Sequence, residues 1–499
     1  MPNDAEPDQV FACKTFSQAD QQRFAALSGD VNPMHMDPVA ARRLITGRQV
    51  VHGVHALLTG LEQWSGSAGA PPSKIACDFV NPICVGDRVD FVTSTGVSTL
   101  GAKVGEMTCC HIDVQFDLKV DVRVDVAPSG LSGPPGNKQP VNLTKLEPLS
   151  APLELSPETC VGRHDAVSLP ATCMSDEFPR LSAWLGERRV AALSLLSYYV
   201  GMVCPGMDSV FASLNFGLAE AREGAEFLSF RVRRFDPRYR VFVIAFDGCI
   251  RGEIKAFLRA KPQGQTPMSA LLDKVSENAF RPANAWVIGG SRGLGEITAK
   301  LIAAGGGNVT LTYAAGADDA LRVAAQINTV GRGQAKVRKL DLSTDNILEW
   351  VTADDQPDAV FYFATPRIFR KKSSNFDPDL FKEFLNFYVD HLFTLCSALA
   401  ILNPSKNIKV FQPSTVFLAD RPKGMTEYAM AKAAAEVLAV DLNRALSSVA
   451  ILSQRLPRLA TDQTLSPFVE NTMSNVDVML PIIDSMLGRR ATPNIQRHH

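Results

Sequence analysis

From Ala285 to Gly306 the chain reads AWVIGG, SRGLG and EITAKLIAAGG: a short apolar run, a glycine turn and an amphipathic run. A buried strand that passes through glycines into a helix has its next strand parallel to the first, because the helix carries the chain back to its starting edge. VTLTY, KLDLS and AVFYFAT follow as second, third and fourth strands. Residues 284–490 are therefore expected to form an α/β, doubly wound, parallel sheet. At the turn, Gly289, Gly293 and Gly295 let the backbone approach a pyrophosphate attracted by the helix N-terminus, with Ser291, Arg292 and Leu294 completing the cradle.

The first half of the chain has a different period. Segments near 74–80, 88–94, 102–115 and 117–126 alternate polar and apolar residues, as in VDVRVDV, and predict antiparallel strands beside one amphipathic helix beginning near Gly53. Residues 128–158 are rich in Pro, Gly, Ser and Leu and read as a linker or arm. From 159 to 262 an apolar helical run, LSLLSYYVGMVCPGMDSVFASL, precedes strands LSFRVRRF, RVFVIAF and IRGEIKAFLRA, with Asp247-Gly248 as a hairpin turn. Tyr198, Tyr199, Met202 and Met207 in that run read as core more readily than as an acyl tunnel.

With 51 Lys plus Arg against 52 Asp plus Glu among 499 residues, no basic field recommends nucleic acid. No uninterrupted apolar run is long enough to span a membrane, and MPNDAEPDQV lacks a secretory signal. Ten scattered Cys without a CxxC pair read as reduced thiols, so the expected location is the cytoplasm.

The stretch Phe16–Leu58 carries the chemistry of the first half. Asp30 and His35 bracket Val31, Asn32, Pro33 and Met34, placing a carboxylate and an imidazole at two ends of one tight loop, where they can polarise a water. Gly53 falls near a helix start, so its amide is a candidate oxyanion donor. His52 and His55 are three apart on that helix but have no obvious carboxylate or Cys to complete a metal site, so packing roles and no metal are expected. SGDVNPMHMD followed by VVHGVH closely resembles the MaoC-like (R)-specific enoyl-CoA hydratases of the hot-dog fold, and the resemblance extends into IACDFVNPICVGDRVDF. It implies an α+β hot-dog domain over residues 10–128, with Asp30 and His35 as catalytic dyad, Gly53 as oxyanion donor, and hydration or dehydration of a trans-2-enoyl thioester. By its order of elements, the middle module is expected to be a second, degenerate hot-dog without a dyad, making a double hot-dog.

In the last module Tyr428 and Lys432, in TEYAMAKAAAEVL, stack one helical turn apart, where the ammonium is expected to lower the phenol's pKa. Ser414 and Thr415 end the strand VFQPST, and either hydroxyl can hold a substrate oxygen. GGSRGLG, YAMAK and RLPRLAT together resemble the short-chain dehydrogenase/reductases, a Rossmann family. The resemblance assigns catalysis to Thr415, Tyr428 and Lys432 and cofactor contacts to the glycine turn, Asp341, Tyr428 and Lys432. Ala364-Thr365-Pro366 replaces the family's Asn-Ala-Gly, Asp390 its helical Asn, and Thr415 its Ser. Tyr313 and Ala314 follow the second strand with no acidic residue to hold a ribose hydroxyl, while Arg292 sits in the turn; this favours NADP(H). The two resemblances imply a fused enzyme, expected to be a homodimer, that reduces 3-oxoacyl thioesters of coenzyme A or an acyl carrier protein and dehydrates the product.

Overall fold

The computed structural model describes residues 8–44, 46–66, 69–93, 99–116, 143–171, 173–218, 226–261, 264–352, 356–368, 376–461 and 473–488. The chain divides into two compact units, Met1–Lys261 and Pro262–His499. The expected strand 117–126 lies outside the described residues.

In the first unit the strands are β1 (Gln9–Thr15), β2 (Lys74–Phe79), β3 (Arg88–Thr93), β4 (Thr99–Val104), β5 (Met107–Gln115), β6 (Thr144–Leu146), β7 (His164–Ser168), β8 (Ser209–Leu218), β9 (Phe227–Asp236), β10 (Val241–Asp247) and β11 (Ile250–Leu258). They form one sheet in the order β1-β3-β4-β5-β2-β8-β11-β10-β9-β7-β6. The seam between its halves is the antiparallel pair β2–β8, where Cys77 faces Leu214 and Ile75 faces Phe216. Two long helices, Gly53–Ser65 and Glu187–Tyr198, are buried in the same core as the inner sheet residues, with Val54, Leu57, Leu58 and Leu61 beside Leu193, Leu196, Phe216 and Ile254. Each such side chain, fully buried, contributes roughly 1.5–3 kcal/mol of transfer free energy.

Three expectations are corrected. The run 102–115 is two strands, β4 and β5, turning at Gly105, whose φ of 57° suits glycine. DSVFASL is not the end of the apolar helix but the start of β8; the helix stops in a π-turn, Tyr199–Val203. The Pro-rich arm contributes β6, a short strand parallel to β7.

The second unit is a parallel sheet of β12 (Asn284–Ile288), β13 (Asn308–Tyr313), β14 (Ala335–Lys339), β15 (Ala359–Tyr362), β16 (Ile408–Thr415) and β17 (Val449–Leu456), in the order β14-β13-β12-β15-β16-β17. This is the 3-2-1-4-5-6 order of a dinucleotide-binding sheet, in which the crevice opens where the order reverses, between β12 and β15. Helices Gly293–Ala304, Ala317–Val330, His391–Leu402, Thr426–Ala445 and Asn475–Leu487 cover it. Among the described residues, one continuous helical stretch, Pro378–Leu402, is long and apolar enough to cross a membrane. Leu380, Phe384, Tyr388, Leu392, Leu395 and Leu399 of that stretch are buried in the unit's cores, whereas Phe393 and Ile401 are exposed.

Candidate active sites

In the first unit, helix Gln18–Ser28 is capped by Ser17 and Asp20 and ends at Gly29, whose φ of 80° turns the chain into the Asp30 loop. Asn32 caps the next short helix, Pro33–Met36, through the Met34 amide, and this puts His35 on its inner side. The Asn32 side-chain amide donates to the carbonyls of Gly201 (2.8 Å) and Gly206 (3.2 Å), fixing the loop to the turn after the second long helix.

Asp30 and His35 are buried, at 1% and 8% exposure. His35 Nδ1 lies 2.6 Å from the carbonyl of Val50; a carbonyl only accepts, so this nitrogen carries the proton and Nε2 is left as a base. Burial raises the Asp30 carboxyl above its ordinary range, against the opposing effects of His35, the Ser197 hydroxyl and the Asn32 amide. Burial likewise lowers the His35 imidazole, opposed by the charge of Asp30. Both shifts favour the neutral pair, with a proton on the acid and a lone pair on the base.

His52 belongs to this site, contrary to the packing role expected for it. Its ring stacks on that of His35 with centroids 3.9 Å apart, and its Nε2 lies 3.0 Å from the Asp30 carbonyl. A carboxylate is therefore in place: an Asp30 oxygen and ring nitrogens of His35 and His52 lie within 4.8 Å of one another, a set that could hold a metal ion. The His52 Nε2 proton that the Asp30 carbonyl requires makes that nitrogen a poor ligand. His55 does pack, stacked on Phe24 with centroids 4.6 Å apart. Gly53 opens the long helix, and no side chain caps that terminus, leaving its first amides available to an anionic oxygen. The Phe79 ring lies where a Gly53 Cβ would come within 3.1 Å, so only glycine fits without displacing it.

Two contacts had no signal in the sequence. Ser197 Oγ donates to Asp30 Oδ2 at 2.7 Å, and a Cβ on Gly201 would fall 2.4 Å from Asp30 Oδ1. Both come from the middle module, whose pattern holds nothing resembling the dyad.

Residues 3–113 match the family model described as MaoC like domain. A curated (R)-specific enoyl-CoA hydratase of Aeromonas caviae is 38% identical over 80 residues, which are 15% of this chain and 59% of that protein. The chain thus spans less than two thirds of the length of the curated relative it matches.

In the second unit the glycine turn is built for close approach. Gly289 has φ of 81° and its amide donates to Thr312 Oγ1 at 2.9 Å; a Cβ on Gly295 would lie 2.1 Å from the Gly289 carbonyl. Helix Gly293–Ala304 starts without a side-chain cap, with Arg292 as the preceding residue and Ser291 buried. Its free amides and the glycine cradle fit a dinucleotide pyrophosphate. The Asp341 carboxylate accepts from the amide (3.0 Å) and hydroxyl (2.6 Å) of Ser343, so it organises its own turn after β14.

Tyr428 and Lys432 lie one turn apart on helix Thr426–Ala445, but their electrostatics differ from expectation. Burial pushes the Tyr428 phenol up to about 12, with only the Thr415 hydroxyl opposing, and pushes Lys432 down to about 7. The ammonium does not lower the phenol, because its nearest partners are the Pro413 carbonyl at 2.7 Å and the Tyr388 ring, 3.7 Å to the centroid, with the Tyr428 ring at 5.9 Å. Tyr388, Phe384 and Phe417 surround the Tyr428 ring, and the Tyr388 hydroxyl bonds Thr365. Ser414 is committed to Glu436, Oγ to Oε1 at 2.5 Å, which leaves Thr415 as the hydroxyl beside Tyr428.

Solved chains of similar shape include a short-chain dehydrogenase/reductase of Serratia marcescens (21% identical, 43% of this chain and 93% of that chain, TM-score 0.38). Another is a short chain dehydrogenase of Burkholderia cenocepacia in complex with NADP (23% identical, 42% and 93%, TM-score 0.37). The strand order and the glycine turn carry the dinucleotide-binding reading independently of these.

Proposed function

We propose that the first unit is a hydratase/dehydratase of trans-2-enoyl thioesters, built as a double hot-dog with one working site. The observation that carries this is the buried Asp30–His35 pair, driven toward its neutral form beside an uncapped helix start at Gly53. For hydration, His35 Nε2 takes a proton from water as the oxygen bonds to Cβ of the enoyl group, and the Cα–Cβ double-bond electrons pass to the thioester oxygen. The Gly53 amide holds that oxygen, and Asp30 then gives its proton to Cα. Dehydration reverses each step. Purified protein mixed with crotonyl-CoA and crotonyl acyl carrier protein, followed by loss of the conjugated enoyl absorbance, tests this; no turnover on either carrier rejects it.

The second unit completes the proposal as an NADP(H)-dependent reductase of 3-oxoacyl thioesters, yielding the (R)-3-hydroxyacyl substrate of the first. The glycine turn and helix Gly293–Ala304 would hold the pyrophosphate, and the lack of an acidic residue after Tyr313 together with Arg292 favours a 2′-phosphate. Such a dinucleotide supplies hydride. Tyr428, whose raised pKa keeps its proton at neutral pH, donates to the ketone oxygen that Thr415 orients. Coenzyme A or an acyl carrier protein as carrier, a cytoplasmic location and a homodimer belong to the same reading. Fluorescence titration with NADPH and NADH tests the nucleotide, and oxidation of NADPH by acetoacetyl thioesters tests the reaction.

A second reading is favoured by Tyr388, whose ring covers Lys432. In it the second unit binds nucleotide without catalysis and serves the hydratase as a scaffold. NADPH binding without turnover of acetoacetyl thioesters selects it.

A further inference from the structure

We propose that Ser197, carried by the middle module, is a positioning residue that fixes the Asp30 carboxylate for proton transfer. The proposal rests on the hydratase reading and gives the second half of the sheet a part in the chemistry of the first.

Three observations converge. Ser197 Oγ donates to Asp30 Oδ2 at 2.7 Å across a sequence separation of 167 residues, with both residues buried. The Asn32 amide donates to Oδ1 at 3.2 Å, so each carboxylate oxygen has one donor, one from each half of the unit. Gly201, one turn beyond Ser197, leaves the carboxylate its space, since any Cβ there would meet all three atoms of the carboxyl group at 2.4–2.7 Å. A buried serine on a helix ordinarily satisfies itself on a carbonyl of the preceding turn. Ser194 does so, with Oγ 2.8 Å from the Ala191 carbonyl, whereas Ser197 reaches out of its helix to Asp30.

The physical consequence is orientation and charge. A carboxyl held by two donors cannot rotate about its Cβ–Cγ bond without losing both, so the oxygen presented to the substrate stays the same through turnover. The Ser197 bond favours the ionised form, and that is the form Asp30 takes after giving up its proton. The titratable groups facing Asp30 are His35, from the short helix, and His52, from the start of the long one. Among the described residues, the second half presents the Ser197 hydroxyl and the Gly201 backbone to the carboxylate.

The test follows the Asp30 side-chain carboxyl by carbon NMR in the full chain labelled at Asp, with Asp30→Asn locating the signal. Ser197→Ala is expected to raise its titration midpoint by about one to two pH units, since one charge-assisted hydrogen bond to the ionised form is lost. Ser197→Thr, which keeps the hydroxyl, restores the wild-type midpoint, and Ser194→Ala leaves it in place. Ser197→Cys, nearly the same size and a weak donor, moves it in the same direction as Ala and covers the case of an Ala variant that does not fold. With crotonyl-CoA, Ser197→Ala lowers kcat at least tenfold with KM within about twofold, and the limb of the pH profile set by Asp30 moves upward. A folded Ala or Cys variant with the wild-type midpoint overturns the proposal. Absence of hydration by the wild-type protein rejects the hydratase reading instead, and the titration still decides whether Ser197 governs the carboxyl.

Discussion

The Lys432 ammonium lies over the face of the Tyr388 ring, 3.7 Å from its centroid, and donates to the Pro413 carbonyl at 2.7 Å. Burial with one carbonyl and one aromatic face pushes its pKa from 10.5 down to about 7. In the unfolded chain the lysine keeps its ordinary value and binds more protons above pH 7, so stability rises with pH between about 7 and 10.5. Lys432→Met is expected to raise the melting temperature at pH 7 and to do little at pH 10.5. Calorimetry at the two values checks it; an equal effect at both would mean that the lysine does not titrate on folding.

Asp30→Asn and His35→Ala each remove one end of the proton transfer. Each is expected to lower hydration of crotonyl-CoA by about two to four orders of magnitude, with unchanged far-ultraviolet dichroism. Turnover near wild type in both would remove the dyad assignment.

Gly295→Ala places a Cβ 2.1 Å from the Gly289 carbonyl, and the helix must shift away from β12 to admit it. NADPH affinity is expected to fall at least tenfold by fluorescence titration, while crotonyl-CoA hydration stays at wild-type level. An unaltered dissociation constant would place the nucleotide elsewhere.

A fragment ending at residue 135 loses β8, the neighbour of β2, together with the carbonyls that hold Asn32 and the Ser197 hydroxyl. It is expected to self-associate and to lack hydratase activity, because an unpaired strand and an apolar helix face are left exposed. Size-exclusion chromatography and an activity assay suffice; a monomeric, active fragment would contradict the part given to the second half.

Much of the architecture is legible because its determinants are local. The glycine turn of residues 289–295 imposes a strand-to-helix crossover, alternation in LSFRVRRF marks β9, and the turn residues between Asp30 and His35 fix the spacing of that pair. β8 escapes because DSVFASL continues an apolar run, and apolar runs do not distinguish a buried strand from a buried helix. Ser197, Gly201 and Tyr388 escape for another reason: each matters through an atom brought beside it by the fold. SYYVGMV and NFYVD carry no spacing that announces a carboxylate or an ammonium as neighbour. His52 lies between these cases, visible as a histidine before the helix glycine but assigned to the site only by its stack on His35.

The β2–β8 seam joins strands that both belong to one chain. A sheet assembled across a seam from two separate chains would come apart on dilution, and its site would come apart with it. Here tethering makes closure of the seam a first-order event, so the integrity of the Asp30 pocket does not depend on protein concentration. The two halves are also freed from being identical: the proposed proton chemistry sits in one, while the other supplies the Ser197 hydroxyl and the Gly201 and Gly206 carbonyls that hold its loop.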